Sequence, residues 1–149
     1  MCGYLFILEK KKFVNKQKAL SALKLQENRG PDFSNHKFLK INENKNFEIC
    51  DQQESLGQIF LGHNRLKIID LSERSNQPII SDKHFLLYNG EFYNYKNFSS
   101  SNTADSDTLT LFSELKKKNY EIIKKINGMW SFIFANLEKQ EIILSRDRY

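Results

Sequence analysis

Hydrophobic and polar positions along this chain fall into short blocks. Gly3 to Leu8 (GYLFIL) is an apolar run of strand length, rich in aromatic and branched residues, and predicts a buried strand. Lys16 to Asn28 places Ala19, Leu20 and Leu23 at helical spacing, with Leu25 less regular. That pattern stops at Arg29-Gly30-Pro31-Asp32, where glycine and proline end a helix. Phe47 to Cys50 and Gln58 to Leu61 read as strands, and Arg65 to Leu71 (RLKIIDL) continues in extended style. His84 to Tyr88 is a further strand running into Asn89-Gly90. Asp107 to Lys118 and Tyr120 to Lys125 read as helical, with Leu111, Phe112, Leu115, Ile122, Ile123 and Ile126 inward. Asp105, Ser106 or Asp107 is available there as the cap. Met129 to Asn136 and Glu141 to Ser145 make a hairpin about Leu137 to Gln140. Strands at both ends, helices between them and no regular βαβ alternation predict an α+β fold with antiparallel sheets.

Composition narrows this picture. The chain has 149 residues, enough for one domain that buries roughly two-thirds of its unfolded surface. Twelve Phe and six Tyr within a 40% hydrophobic composition argue for a packed core, with Ser99 to Asp107 reading as a polar loop. Net charge is +5, but the lysines sit in short runs (Lys10 to Lys12, Lys116 to Lys118, Lys124 and Lys125) beside apolar periodic segments. That is the pattern of solvated faces, so no nucleic-acid partner is expected. No apolar run approaches the roughly 18 residues of a membrane helix and no leader pattern is present, so no membrane partner is expected either. Two cysteines without CxxC or Cys/His spacing give neither a disulfide framework nor a metal site, and a reducing, cytoplasmic setting is the expectation. The glycines are scattered, with neither GxGxxG nor GxxxxGK, so no nucleotide cofactor is expected in this chain.

The chemistry-bearing candidates are few. Cys2 follows the initiator methionine; once Met1 is removed it would carry a thiol and a free α-amine together, with ordinary pKa values of about 8.5 and about 7.7 to 8.0. The amine could then take the thiol's proton directly or through one water. The alternative is an ordinary buried cysteine, which is how Cys50 reads. Only five of the 23 cationic residues are arginine, so Arg65 in GHNRL is a candidate two-pronged donor to a carboxylate, against a surface ion pair. His63 in the same stretch reads as a hydrogen-bonded structural residue, or else a base. Asn89-Gly90 is either the favoured two-residue hairpin turn or a pair of donors aimed at a developing oxyanion. Asp107 is either a helix cap or a partner for a substrate ammonium, and Arg29 and Asp32 are placed to pair across their turn.

Taken in order, MCG, RGPD, GHNRLKIIDLS, NGEFYNY, SDT, NGMWSF and SRDRY resemble the glutaminase domain of glutamine-dependent asparagine synthetases over nearly the whole chain. The resemblance implies a four-layer αββα N-terminal nucleophile hydrolase fold with two stacked antiparallel sheets. It implies Cys2 as nucleophile and Asn89 and Gly90 as the oxyanion hole. Arg65 would bind the glutamine α-carboxylate and Asp107 the α-ammonium, helped by Leu66, Lys67, Ile68, Ile69 and Glu91. Residues 1–149 would form this domain, cut short at its C-terminal end and lacking the synthetase domain. That partner, as domain or subunit, would receive the ammonia, and ATP and Mg would be needed only there; a homodimer is left open. Three departures stand out: Phe6 where the family usually has glycine, Leu109 where glutamate commonly follows SDT, and a short segment between Tyr95 and Asp105. Phe6 motivates the alternative of a non-catalytic module of the same fold serving as a partner or regulatory domain.

Overall fold

A computed structural model describes residues 1–50, 57–100 and 105–148. Eight strands form two antiparallel sheets of four. The first sheet runs β1 (Gly3–Leu8), β4 (Ile59–Arg65), β2 (Phe33–Ile41), β3 (Phe47–Ile49). The second runs β5 (Ile79–Ile80), β6 (His84–Phe92), β7 (Gly128–Asn136), β8 (Glu141–Arg146). Helix α1 (Lys16–Lys24) packs Ala19 and Leu23 on the first sheet, with Phe38 and Phe60. Helices α2 (Asp107–Lys116) and α3 (Ile122–Lys125) pack Leu111, Leu115 and Ile122 on the second, against Leu86, Tyr88, Phe92 and Phe134. Between the sheets lie Leu39, Ile59, Leu61, Phe85, Leu87, Ile133 and Ala135. The layers are therefore α, β, β, α, as the resemblance implied.

Side-chain alternation explains the layering. Along β6, Phe85 and Leu87 face the inter-sheet core while Leu86, Tyr88 and Phe92 face the helices. All seven residues of β4 are buried because the strand is central and covered on both faces, so its pattern is not a simple alternation. The lysine runs are exposed, as their spacing suggested.

Several expectations need correction. Strand β2 was not anticipated: FSNHKFLKI mixes polar and apolar residues without a clean period of two, yet it pairs residue by residue with β4 from Phe33↔Arg65 to Leu39↔Ile59. Extended structure does not continue through RLKIIDL; β4 ends at Arg65, and residues 66 to 71 form the loop beside the cavity described below. Asn89-Gly90 is no hairpin turn, because both residues lie inside β6 and pair with Ser131 and Trp130. The real turn, Leu137 to Gln140, follows β7 as expected. Part of the proposed polar loop, residues 101–104, lies outside the described residues, as does Tyr149 of the SRDRY motif.

Candidate active site

Strand order brings the two sequence-distant ends of the site together. Gly3 pairs with Asn64, so Cys2, one residue earlier, lies beside Leu66, one residue beyond the end of β4. The Leu66 N–H points at Cys2 Sγ at 3.3 Å, and the thiol faces the Leu66 carbonyl at 3.7 Å. Arg29 Nε donates to the Cys2 carbonyl at 3.1 Å, which ties the residue before β1 to the turn after α1. That turn lies against the end of β4: a Cβ on Gly30 would sit 2.1 Å from the Asn64 carbonyl oxygen. Arg29 and Asp32 do not pair with each other as expected; Asp32 Oδ2 accepts from the Lys67 N–H at 2.8 Å. Burial raises the Cys2 thiol's pKa, opposed by the Leu66 N–H and by the nearby terminal ammonium and Arg65.

Cys2, Arg65, Leu66, Ile68, Ile69, Asn89, Gly90, Glu91 and Asp107 all border one cavity of about 40 Å³, with Met1 in its wall. Lys67, expected there too, is not among the bordering residues, and its N–H is taken by Asp32. Met1, Asn89, Gly90 and Met129 also border an adjoining hollow of about 460 Å³.

Arg65 is 6% exposed, which removes the surface ion-pair reading. Its guanidinium donates from Nη1 to the Ser72 carbonyl at 2.8 Å and to Asn76 Oδ1 at 2.7 Å, and from Nη2 to the Asp70 carbonyl. Each of these acceptors is a neutral dipole. Among the described residues no carboxylate bonds it, so a buried cation is held in place with its charge only partly compensated.

Asp107 is the mirror case. It is 5% exposed and accepts from the Tyr88 hydroxyl at 3.1 Å, the Phe92 N–H at 3.2 Å and the Thr108 N–H at 2.7 Å. It is not the helix cap: Ser106 Oγ accepts from the Leu109 N–H and fills that role, releasing Asp107 for the cavity. Burial raises its pKa, while the Phe92 and Thr108 N–H groups and the Tyr88 hydroxyl oppose the rise. No cation bonds it among the described residues.

Asn89 and Gly90 sit on β6 where β5 no longer covers its edge. Alternation with Phe85 and Leu87 directs Asn89's side chain into the inter-sheet space, and alternation with Tyr4 and Phe6 directs Cys2 into the same space. The main chain of Gly90 faces away from β7, because both backbone groups of its partner Trp130 turn the other way: the Trp130 N–H donates to Asp147 Oδ2 at 2.8 Å and the Trp130 carbonyl accepts from the Asp147 N–H at 2.9 Å. Glycine is required at 90 because a Cβ there would stand 2.2 Å from the Met129 carbonyl oxygen.

His63 is fully buried and bonds the Tyr88 carbonyl through Nε2 at 3.1 Å. Burial holds it neutral, its pKa down to about 4, so it behaves as the structural residue expected and not as a base in the cavity. Phe6 is not among the residues that border the cavity; its half-buried ring packs on Phe85 with centroids 5.7 Å apart, against the inter-sheet core.

Sequence reasoning missed Asp70, Ser75, Gln77, Tyr88, Thr108 and Met129, which complete the wall. Tyr88 and Thr108 adjoin the NG and SD signals and could have been found that way. Nothing local marks Gln77 except the proline after it.

A glutamine amidotransferase domain family model matches residues 1–149. The chain is 32% identical to a putative glutamine-hydrolyzing asparagine synthetase 2 of Methanocaldococcus jannaschii, over 99% of this chain and 30% of that protein. It is 26% identical to the glutamine-hydrolyzing asparagine synthetase B of Escherichia coli, over 89% of this chain and 22% of that protein. Amidase chry2 of Gibberella zeae is 31% identical over 60% of this chain and 14% of its own length. The chain thus spans less than a third of the length of each of these relatives.

Proposed function

We propose, since this chain belongs to the glutamine amidotransferase domain family, that its cavity hydrolyses glutamine to glutamate and ammonia with Cys2 as the nucleophile. One observation carries the reading. A buried cation with neutral partners, a buried carboxylate without a cation and a thiol border a single cavity. Arg65 and Asp107 together complement the carboxylate and ammonium of an α-amino acid, and the Cys2 thiol borders the same cavity as the stronger nucleophile beside the hydroxyls of Ser75, Tyr88 and Thr108. Arg65 takes the α-carboxylate as a fork, Asp107 the α-ammonium, and Leu66, Ile68, Ile69 and Glu91 line the path between them.

The chemistry then runs as acyl transfer. Cys2 Sγ, its proton passed to the α-amine freed by loss of Met1, attacks the side-chain amide carbon. The resulting oxyanion is met by the Asn89 side-chain amide and the Gly90 N–H, a type of contact worth roughly 2.7 to 4 kcal/mol per donor. The C–N bond breaks as the nitrogen gains a proton and leaves as ammonia. Water attacks the thioester, releasing glutamate and the thiol. Removing Met1 also takes away a wall shared by the cavity and its larger neighbour, enlarging the space for substrate.

The ammonia is consumed by an asparagine-synthetase-type amidating partner, domain or subunit, which also carries the ATP-dependent step. The two free cysteines suit a reducing, cytoplasmic setting. Phe6, the sequence motive for a non-catalytic module, packs away from the cavity, which favours the catalytic reading.

Methionine-processed protein incubated with glutamine should release glutamate and ammonia in equal amounts, and Cys2→Ala should abolish this. A glutamine analogue bearing an electrophile should add its mass at Cys2. Turnover by Cys2→Ala equal to that of the unmodified sequence would overturn the proposal.

A further inference from the structure

Strand β5 is only two residues long, pairing Ile79 with Leu86 and Ile80 with Phe85. The next residues of β6 whose backbone faces that edge are Tyr88, Gly90 and Phe92. Tyr88 is not left bare. Its N–H donates to Gln77 Oε1 at 2.6 Å, and its carbonyl accepts from Gln77 Nε2 at 2.9 Å. A side-chain amide thus makes the pair of bonds that a strand residue would make. His63 Nε2, from β4 of the facing sheet, bonds the same carbonyl at 3.1 Å. Phe92 N–H is taken by Asp107. Gly90, between these two pinned residues, directs its N–H the same way, into the cavity it borders.

We propose that Gln77 is the positioning residue of the oxyanion hole: its side chain ends the β5–β6 ladder at Tyr88 while holding the β6 edge in register. The inference rests on the glutaminase reading above. Had β5 continued as main chain, its next peptide groups would lie against Gly90 and consume the N–H meant for the oxyanion. A side-chain amide serves one residue and stops. It closes the ladder and leaves the following donor open. Gln77 is 3% exposed, and its loss would leave the Tyr88 N–H buried without its acceptor and the Tyr88 carbonyl with His63 Nε2 alone. An oxyanion donor works only within about 2.7 to 3.1 Å of the developing charge, so a small shift of the β6 edge costs rate. The groups that grip the amino-acid end of the substrate, Arg65 and Asp107, have no bond to Gln77 among the described residues, so binding should survive.

The test compares Gln77→Ala and Gln77→Glu with the unmodified sequence, all methionine-processed. Gln77→Ala should lose tenfold or more in kcat, with KM for glutamine within about threefold and Cys2 alkylation by iodoacetamide unchanged, since alkylation develops no oxyanion. Gln77→Glu is diagnostic through pH. The ionised carboxylate offers no donor to the Tyr88 carbonyl, whereas the protonated acid restores both bonds, so its kcat relative to the unmodified sequence should recover as pH falls. Unchanged kcat in Gln77→Ala, a parallel fall in alkylation, or no recovery in Gln77→Glu would overturn the role. Amide exchange without substrate gives a measure independent of turnover. Gln77→Ala should expose the Tyr88 N–H selectively while the β6–β7 ladder stays protected, and an unchanged Tyr88 N–H would equally refute the assignment. Absence of turnover in the unmodified sequence counts against the glutaminase reading, while the Tyr88 exchange result still decides the place of Gln77.

Discussion

Of the three carboxylates that border the cavity among the described residues, two, Asp70 and Asp107, are treated by the protein in opposite ways. Asp70 accepts from the Ser72 N–H, from Ser75 Oγ and from Arg74 Nε, which is a cation of its own. Burial would raise its pKa, but those hydrogen bonds overcome burial and hold it well below the usual carboxylate range. Asp107 has four donors, the Thr108 hydroxyl at 3.2 Å among them, and no cation among the described residues; burial prevails, raising its pKa. Ser75 Oγ also meets Ser106 Oγ at 2.7 Å, so the two systems touch without sharing charge. The difference separates a finished structural knot from a site that awaits a partner. A carboxylate with its own arginine has little to gain from a ligand ammonium, while one held only by neutral donors has much to gain.

The comparison is tested most severely at Asp107. Asp107→Asn should lower kcat/KM for glutamine by about 10- to 100-fold, the worth of a hydrogen bond to a charged group at roughly 1.5 to 3 kcal/mol, and mostly through KM. Steady-state kinetics showing an unchanged KM would return Asp107 to a structural role. Asp70→Asn should show the reverse profile. It should destabilise the fold by about 2 kcal/mol, seen as a fall of about 4 to 8 °C in Tm, with a smaller change in KM than at Asp107. The sign with pH follows. A carboxylate whose folded pKa is depressed stabilises above the unfolded value near 3.8 and loses that contribution as pH falls below it. Thermal melts of the unmodified protein and Asp70→Asn should therefore converge in strong acid. Curves that stay parallel would mean that Asp70's charge is not what holds the loop.

The sequence made Asp107 visible and Asp70's role invisible for the same physical reason. SDT announces a helix start, and the choice among Asp105, Ser106 and Asp107 as cap turned on which side chain folds back onto the helix. Only the packed structure shows Ser106 doing so, with Asp107 turned toward Tyr88 and Phe92. Strands with clean apolar runs, such as GYLFIL, HFLLY and MWSFIFAN, were legible because burial on at least one face fixes their composition. Strand β2 was not, since its polar residues find partners across the sheet, as Ser34 Oγ does with Asn64 Oδ1. The NG dipeptide misled in its hairpin sense because glycine at 90 serves close strand approach and not a turn. Gln77 left no trace, because a side chain acting as a missing strand residue is a tertiary event.

The finest test concerns the donors that hold Asp107. Of its four, the Tyr88 hydroxyl is a side-chain donor that a conservative substitution removes. Tyr88 is itself buried, 2% exposed, and its own pKa is raised well above the ordinary value by burial and by Asp107, so it remains a hydroxyl donor at any working pH. Tyr88→Phe keeps the ring in its packing against the helices and deletes one bond, at a cost of about 1 kcal/mol. With a donor to its ionised form gone, Asp107 holds its proton to higher pH than in the unmodified protein. Both Asp107, which must be ionised, and the Cys2 amine, which must be free to take the thiol's proton, shape the acid side of the kcat/KM profile for glutamine; the Asp107 step should move up in pH, with a loss of about fivefold at the foot of the profile. The step set by the Cys2 amine, whose ordinary pKa of about 7.7 to 8.0 lies above the carboxylate range, should stay in place. A shift of both steps together would place Tyr88's influence on the nucleophile and erase the distinction between the cavity's two ends.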